Sequence, residues 1–309
     1  MSDMFFLVGP TAVGKSVLAA EIAAQVNAEI VNVDAFQIYC GLDVLTGKPD
    51  ATTQREVPHH LLGSVALAEP MSAAKFRKMA LSIVSDIQSR HKRAMLVGGS
   101  GLYIKALSHG LDAPAPDPET REQLRRLSLK QLTDRLNSLD PVMASRVDLK
   151  NPRRVLRAVE IATSQTTLAT APAKAFGIVP SRNGEDSMEE RQVRSTRGVL
   201  LVRDRDDLYQ RINRRVEGMF RQGVVDEVRN VKDAGPTAAH ALGLHQIQQL
   251  IAGEISRDDC VRSIQLGTRR YAKRQLTWFR RQSNFPELNL TTLSHRETLR
   301  AIRDYLAPA

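Results

Sequence analysis

Gly9-Pro10-Thr11-Ala12-Val13-Gly14-Lys15-Ser16 carries two glycines, a lysine and a hydroxyl at the spacing of a phosphate-binding loop. Glycines let backbone amides turn inward around an anion, and a helix opening from the loop adds its positive N-terminal end. Lys15 is placed to neutralise terminal phosphate charge, and the Ser16 hydroxyl to ligate Mg²⁺. ATP, GTP and a diphosphate ester all fit such a cradle, so the loop says what is held and leaves the reaction open.

Two further groups could join it. Asp34 follows the apolar residues Ile30, Val31 and Val33, at the strand end that faces a ligand crevice in an open parallel sheet. A helix cap or turn residue is an equal reading of Asp34. Ser100 sits inside Gly98-Gly99-Ser100-Gly101-Leu102-Tyr103, either a second anion contact or only a tight turn.

These residues need elements that bring them together. Met4 to Val8 reads as a buried strand and Val17 to Val26 as the helix after the loop. Ala28 to Asp34 is a second strand, Ser72 to Ser89 an amphipathic helix opened by Ser72, and Ala94 to Val97 a third strand. Three strand-to-turn edges, at Gly9, Asp34 and Gly98, then meet at one end of a sheet. Pro114, Pro116 and Pro118 end the alternation of strands and helices, and Glu119 to about Ser164 is helical. Arg153 and Arg157 fall four apart on one helix face. Thr163 to Thr196 reads as a mobile loop; Gly198 to Val202 resumes the sheet. Helices over Asp206 to Gln222, with Arg211, Arg214 and Arg215, and over Val225 to Lys232 follow, and helices continue to the C-terminus.

Between Cys260 and Pro286 there is no acidic residue, while Arg262, Arg269, Arg270, Lys273, Arg274, Arg280 and Arg281 are all present. A helix charged with one sign repels itself unless it faces polyanion, so a nucleic-acid backbone is the expected partner. Its aromatics, Tyr271, Trp278 and Phe279, are expected to pack it onto a core. The whole chain agrees in sign, with 44 Lys+Arg against 34 Asp+Glu and a net charge of +10. Cys40 and Cys260 stand far apart and form no Cys-x-x-Cys pair, and the adjacent His59 and His60 lack further ligands at metal spacing, which argues against zinc. No apolar run approaches the roughly 18 to 20 residues of a membrane span, and no secretory leader opens the chain. A cytoplasmic monomer is expected.

The phosphate loop, Val33-Asp34-Ala35-Phe36-Gln37-Ile38-Tyr39, Gly47-Lys48-Pro49, Pro58-His59-His60-Leu61, Val97 to Tyr103 and Lys273-Arg274-Gln275-Leu276-Thr277-Trp278-Phe279-Arg280 together resemble the tRNA dimethylallyltransferases, also called tRNA isopentenyltransferases. That resemblance implies transfer of a dimethylallyl group from dimethylallyl diphosphate to N6 of adenosine 37, beside the anticodon. It implies an α/β fold, a P-loop NTPase-like parallel sheet flanked by helices with an inserted all-helical domain. On this basis residues 1–113 and 195–309 form the catalytic core, and 114–194 the insertion that grips the anticodon stem-loop.

Residue by residue, the resemblance puts the diphosphate on Gly9 to Ser16, with Mg²⁺ on Ser16. Asp34 falls at the general base, Ser100 near base and diphosphate, and Arg215 on the leaving diphosphate. Ala35, Phe36, Gln37, Arg121, Arg153, Arg154, Arg157, His240, Gly243, His245, Lys273, Arg274, Gln275, Thr277, Trp278 and Arg280 match stretches that touch tRNA, together with Asp34 and Ser100. This chain departs from the family pattern in Ala35 for Ser, Ser100 for Thr, and Leu244-His245 for an aromatic and a Lys or Arg. The rivals are a P-loop kinase or NTPase that docks RNA, a non-catalytic tRNA-binding module, and a prenyltransferase for free AMP or ADP. A kinase would need an acid after an apolar strand to hold Mg²⁺, and the strand ending at Val97 runs into Gly98-Gly99-Ser100 instead.

Overall fold

The computed structural model describes residues 4–111, 118–165 and 197–307. Six strands are found among them: β1 (Met4–Val8), β2 (Ala28–Val33), β3 (His59–His60), β4 (Arg93–Gly98), β5 (Arg197–Val202) and β6 (Glu287–Asn289). They form one parallel sheet in the order β3-β2-β4-β1-β5-β6. Parallel neighbours need crossovers, and the helices Lys15–Gln25, Ala73–Ser89 and Arg205–Arg221 lie in the connections.

Both faces of the sheet are covered. Phe5, Leu7, Ile30, Met95, Val97, Val199 and Leu201 belong to one core cluster, with the helix Lys15–Gln25. Phe6, Val8, Val31, Val33, Leu96, Leu200 and Val202 belong to another, with Phe76, Ala80 and Val84 of the helix Ala73–Ser89. Successive residues of a strand go to opposite faces, so two buried faces require the continuous apolar runs seen in the sequence. Ser72 caps its helix as expected, its side chain accepting from the Lys75 amide at 3.1 Å.

Two strands were not foreseen. Glu287–Asn289 interrupts the helices expected to run to the C-terminus. Three residues are too few to show a period, and the strand forms by pairing with β5, where the Leu200 amide donates to the Pro286 carbonyl at 2.9 Å. His59–His60 pairs likewise with the edge of β2.

The chain divides into two compact units, Met1–Ser108 with Met188–Ala309, and His109–Ser187. The second unit contains the helices Pro118–Arg125, Leu129–Leu139, Pro141–Arg146 and Pro152–Gln165. They pack around Leu124, Leu132, Leu136, Val155 and Val159. The expected Pro114 and Pro116 boundary, and the loop over 163–196 from residue 166 onward, lie outside the described residues.

Candidate active site

Register brings the chemical groups together. Val8 of β1 and Val33 of β2 both pair with Gly98 of β4, so the three strands end level. A side chain at Gly98 would run into the Val33 carbonyl. The Gly9 amide donates to the Gly98 carbonyl and the Ser100 amide to the Val33 carbonyl, each at 3.3 Å. The phosphate loop, the Asp34 turn and the Gly98-Gly99 turn therefore lie side by side, at the carboxyl edge where α/β sheets bind ligands.

The loop is surrounded by cations. Gly14, the residue before the helix Lys15–Gln25, has φ 110°, a conformation that favours glycine. Lys15 Nζ donates to the carbonyls of Gly9 at 3.0 Å and Pro10 at 2.8 Å. Arg211 Nε donates to the Ala12 carbonyl at 3.0 Å and Arg203 Nε to that of Val13 at 2.9 Å. Arg215 donates to Thr11 Oγ1 and, from its other terminal nitrogen, to the Thr46 carbonyl, both at 2.6 Å. Burial and the neighbouring Arg215 lower the pKa of Lys15 to about 8, against the opposing pull of Asp34. Burial likewise lowers that of Arg215, and Asp34 again opposes it. Asp207 pairs with Arg203 at 2.7 Å, and Asp34 is the carboxylate that acts on Lys15 and Arg215. Arg203 was missed in the sequence, although it directly follows β5 on the same sheet edge and could have been found by that rule.

Asp34 turns out to be a turn residue and a site residue together. Its Oδ1 accepts from the amides of Phe36 at 2.9 Å and Gln37 at 3.3 Å, which fixes the turn. No hydrogen bond to its Oδ2 is found among the described residues. Ser100 Oγ accepts from the Ala35 amide at 2.8 Å, and Ser100 itself is buried. Gln37 Nε2 donates to the carbonyls of Thr46 at 3.2 Å and Gly47 at 3.0 Å, so this side chain braces the loop that also receives Arg215. At Gly47 an added Cβ would lie 2.5 Å from the Arg215 guanidinium.

An open cleft joins these groups. Thr11, Asp34, Thr46, Arg215 and Tyr271 supply its polar lining; Phe36, Leu45, Val216, Met219, Leu242 and Ile264 supply an apolar wall. Leu45, Val216, Met219 and Ile264 are buried members of a third core cluster, so that wall is backed by packed side chains. One part of a ligand here meets charge and another meets hydrocarbon.

The helix Arg257–Gln282 spans the expected basic stretch. Ile264, Thr268, Ala272, Gln275 and Phe279 are buried, while Arg270, Lys273, Arg274, Thr277, Arg280 and Arg281 are exposed. Arg280 pairs with Glu287 at 2.8 Å, from outside the acid-free stretch. Arg270, Lys273 and Arg274 have no carboxylate partner among the described residues. Gln275 is no surface contact: it accepts from the Thr11 amide at 2.9 Å and donates to the Gly99 carbonyl at 2.9 Å, tying the phosphate loop to the Gly98-Gly99 turn. Trp278 is half-buried, packed over Gly101 and edge-on to Phe279 at 5.3 Å. Gly243 is buried in the left-handed region at the start of the helix Leu244–Ile251, whose His245 is exposed, as is His240. Leu244 is core.

In the second unit the buried Glu160 holds Arg121 at 3.2 Å and Arg157 at 3.0 Å. Arg154 is exposed and pairs with Asp148 at 3.4 Å; Arg153 is exposed. Four arginines expected on RNA thus divide, two bound to a buried carboxylate and two at the surface.

The family model described as IPP transferase matches residues 37–282. The chain belongs to the IPP transferase family. It is 38% identical over 297 residues to tRNA dimethylallyltransferase 1 of Citrifermentans bemidjiense, covering 93% of this chain and 94% of that protein. It is 39% identical over 286 residues to the tRNA dimethylallyltransferase of Geobacter metallireducens, covering 89% and 88%. Among solved structures it is similar to the full-length tRNA isopentenylpyrophosphate transferase of Bacillus halodurans, with a TM-score of 0.69, 30% identity and coverage of 99% and 96%. The residues matched by the family model take in Gln37, Arg215 and the basic helix Arg257–Gln282.

Proposed function

We propose that this chain transfers a dimethylallyl group from dimethylallyl diphosphate to N6 of adenosine 37 in tRNA, releasing diphosphate. Its relatives carry the name of that activity, and one observation supports it most. The cleft puts Thr11, Asp34 and Arg215 next to a packed apolar wall, which suits a ligand with a diphosphate at one end and a five-carbon chain at the other.

The lone pair of adenine N6 attacks C1 of the dimethylallyl group, the C1–O bond breaks, and its electron pair leaves with the diphosphate. N6 is a weak nucleophile because its lone pair is delocalised into the ring, so a base that takes its proton is needed. Asp34 fills that role with Oδ2, the oxygen not spent on the turn. Lys15 and Arg215 stabilise the leaving charge from fixed positions, which avoids reorganisation as it develops. Ser100 holds the Ala35 amide beside the base.

No group of three or more His, Cys, Asp or Glu that could hold a metal ion occurs among the described residues. Mg²⁺ keeps several waters and binds mainly through substrate phosphates, so the Ser16 hydroxyl with diphosphate oxygens is a sufficient donor set. The ion would supply further neutralisation of the departing diphosphate.

An adenine in the anticodon loop must leave its stack to reach the cleft, at a cost of a few kcal/mol. Arg270, Lys273 and Arg274, exposed and without a carboxylate partner among the described residues, offer phosphate contacts that offset it. The protein acts as a monomer on tRNA in the cytoplasm; no described helix is long and apolar enough to cross a membrane.

The test incubates the protein with Mg²⁺, labelled dimethylallyl diphosphate and unmodified tRNA carrying A36-A37, with AMP in a parallel tube. Label in tRNA alone supports the proposal. Label in AMP, or ATP turnover with no transfer, refutes it.

A further inference from the structure

Within the phosphate loop, Ala12 is the residue other than glycine that takes the left-handed conformation, with φ 64°. It stands third in a turn closed by the Val13 amide on the Pro10 carbonyl at 3.4 Å, a position where positive φ favours Gly or Asn. Alanine is strained there, and such strain persists only where surrounding contacts hold it. The hold comes from outside the loop. Arg211, on the helix Arg205–Arg221, is half-buried and donates from Nε to the Ala12 carbonyl at 3.0 Å. At Gly14 an added Cβ would lie 3.6 Å from the same guanidinium, which therefore covers the loop from Ala12 to Gly14. Arg211 forms no ion pair among the described residues, and no step above uses it.

We propose that Arg211 is a positioning residue for diphosphate binding: by holding the Ala12 carbonyl it keeps the left-handed turn that shapes the phosphate loop. This rests on the reading above that the loop holds a diphosphate. The Ala12–Val13 peptide is tied at both ends, its carbonyl to Arg211 and its amide to Pro10. Once freed, Ala12 would return to the right-handed or extended backbone that alanine prefers, and the peptides flanking it would turn. The amides that cradle an anion lie in this stretch, and a carbonyl turned inward among them would repel diphosphate. Neighbouring contacts hold other groups: Gln275 takes the Thr11 amide and Arg203 the Val13 carbonyl, on either side of Ala12. Arg215 differs in kind, since it lines the cleft and reaches the loop through the Thr11 hydroxyl. Arg211 acts on the anion only through the loop backbone.

The experiment measures the affinity for inorganic diphosphate with Mg²⁺ by calorimetry, and the KM for dimethylallyl diphosphate by label transfer, in R211M, R211Q and the double variant R211M/A12G. Methionine keeps the apolar stem and removes both donor and charge. Glutamine carries an amide nitrogen at the place of Nε, so it keeps the donor and removes only the charge. R211M should weaken diphosphate binding and raise that KM about tenfold, the worth of one hydrogen bond, with tRNA affinity within about twofold of wild type. R211Q should recover most of the loss, to within about threefold of wild type. Adding Ala12→Gly to R211M should recover most of it too, because glycine takes φ 64° without strain. A role in stability alone would not answer to that substitution.

Unchanged diphosphate affinity in R211M overturns the proposal. R211Q as weak as R211M overturns it as well, by making the charge of Arg211 what the anion needs. So does R211M/A12G with no recovery, and this double variant decides the matter even if R211M alone does not fold. Wild-type protein that binds no diphosphate removes the parent reading and this one together, whereas a wild type that binds it with R211M unaffected removes this one alone.

Discussion

Two carboxylates stand at opposite ends of β2, and the fold treats them in opposite ways. Glu29, near the start of the strand, is buried and held by Arg90, by Lys92 at 2.8 Å and by His60 at 2.8 Å. These partners, the Arg90 hydrogen bond first, keep its carboxyl far below the ordinary range. Asp34, just past the end, spends one oxygen on backbone amides and has no hydrogen bond on the other among the described residues. Around it Lys15 and Arg215 are pushed toward losing their protons by burial. Saturated charge at one end serves the structure; charge left short of partners at the other is available to a ligand.

The sharpest test of that contrast is the pair Asp34→Asn and Glu29→Gln. Asp34→Asn should lower turnover by at least about a hundredfold with tRNA affinity nearly intact, read by single-turnover label transfer and filter binding. Near-normal turnover would break the comparison at its functional end.

A second effect, about tenfold, concerns the charge that faces RNA. Replacing Arg270, Lys273 and Arg274 with Ala should weaken tRNA binding and flatten the slope of log affinity against log salt by roughly two. The control is Arg121→Ala, whose partner is Glu160: it should reduce stability and leave that slope unchanged.

A third prediction uses the lowered Lys15. With its pKa at about 8, Lys15 is charged below that pH and loses its charge above it. A bound diphosphate raises the pKa, so affinity for dimethylallyl diphosphate should fall toward tenfold per pH unit above about 8. Flat affinity from pH 7 to pH 10, by calorimetry, would remove Lys15 from the diphosphate.

The smallest effect on activity belongs to Glu29→Gln, which should leave turnover within about twofold while costing about 2 kcal/mol in urea unfolding at neutral pH. The sign follows from the depressed folded pKa. Glu29 releases its proton more readily in the folded chain than in the unfolded one. Its stabilisation is therefore complete above the ordinary carboxylate pKa and is lost as pH falls below about 4 toward the folded value. Wild type and mutant should converge in stability under acid.

Much of the site could be read without coordinates because its parts are local. The phosphate loop depends on glycines and a lysine within eight residues, and the three strand-to-turn edges on apolar runs ending in Gly, Asp or Gly. Residues whose roles depend on a distant partner could not be read the same way. Gln275 stood in a basic helix and was assigned to RNA, yet it joins Thr11 to Gly99 across more than half the chain. Arg121 and Arg157 looked like two more cations until Glu160 was found between them. β3 and β6, at two and three residues, exist only because neighbouring strands supply their hydrogen bonds.

By itself the sequence determined the class of fold, the anion cradle and the one-signed helix, since each follows from residue types at short spacing. Only the tertiary structure decided which charges are neutralised. An ion pair depends on where two side chains meet, and a desolvated cation on what covers it; neither is written in the order of residues along the chain. The Val33 and Val8 register on Gly98 turned three separate loops into one cleft, and burial there left Lys15, Arg215 and Asp34 with an imbalance of charge that an anionic ligand can complete.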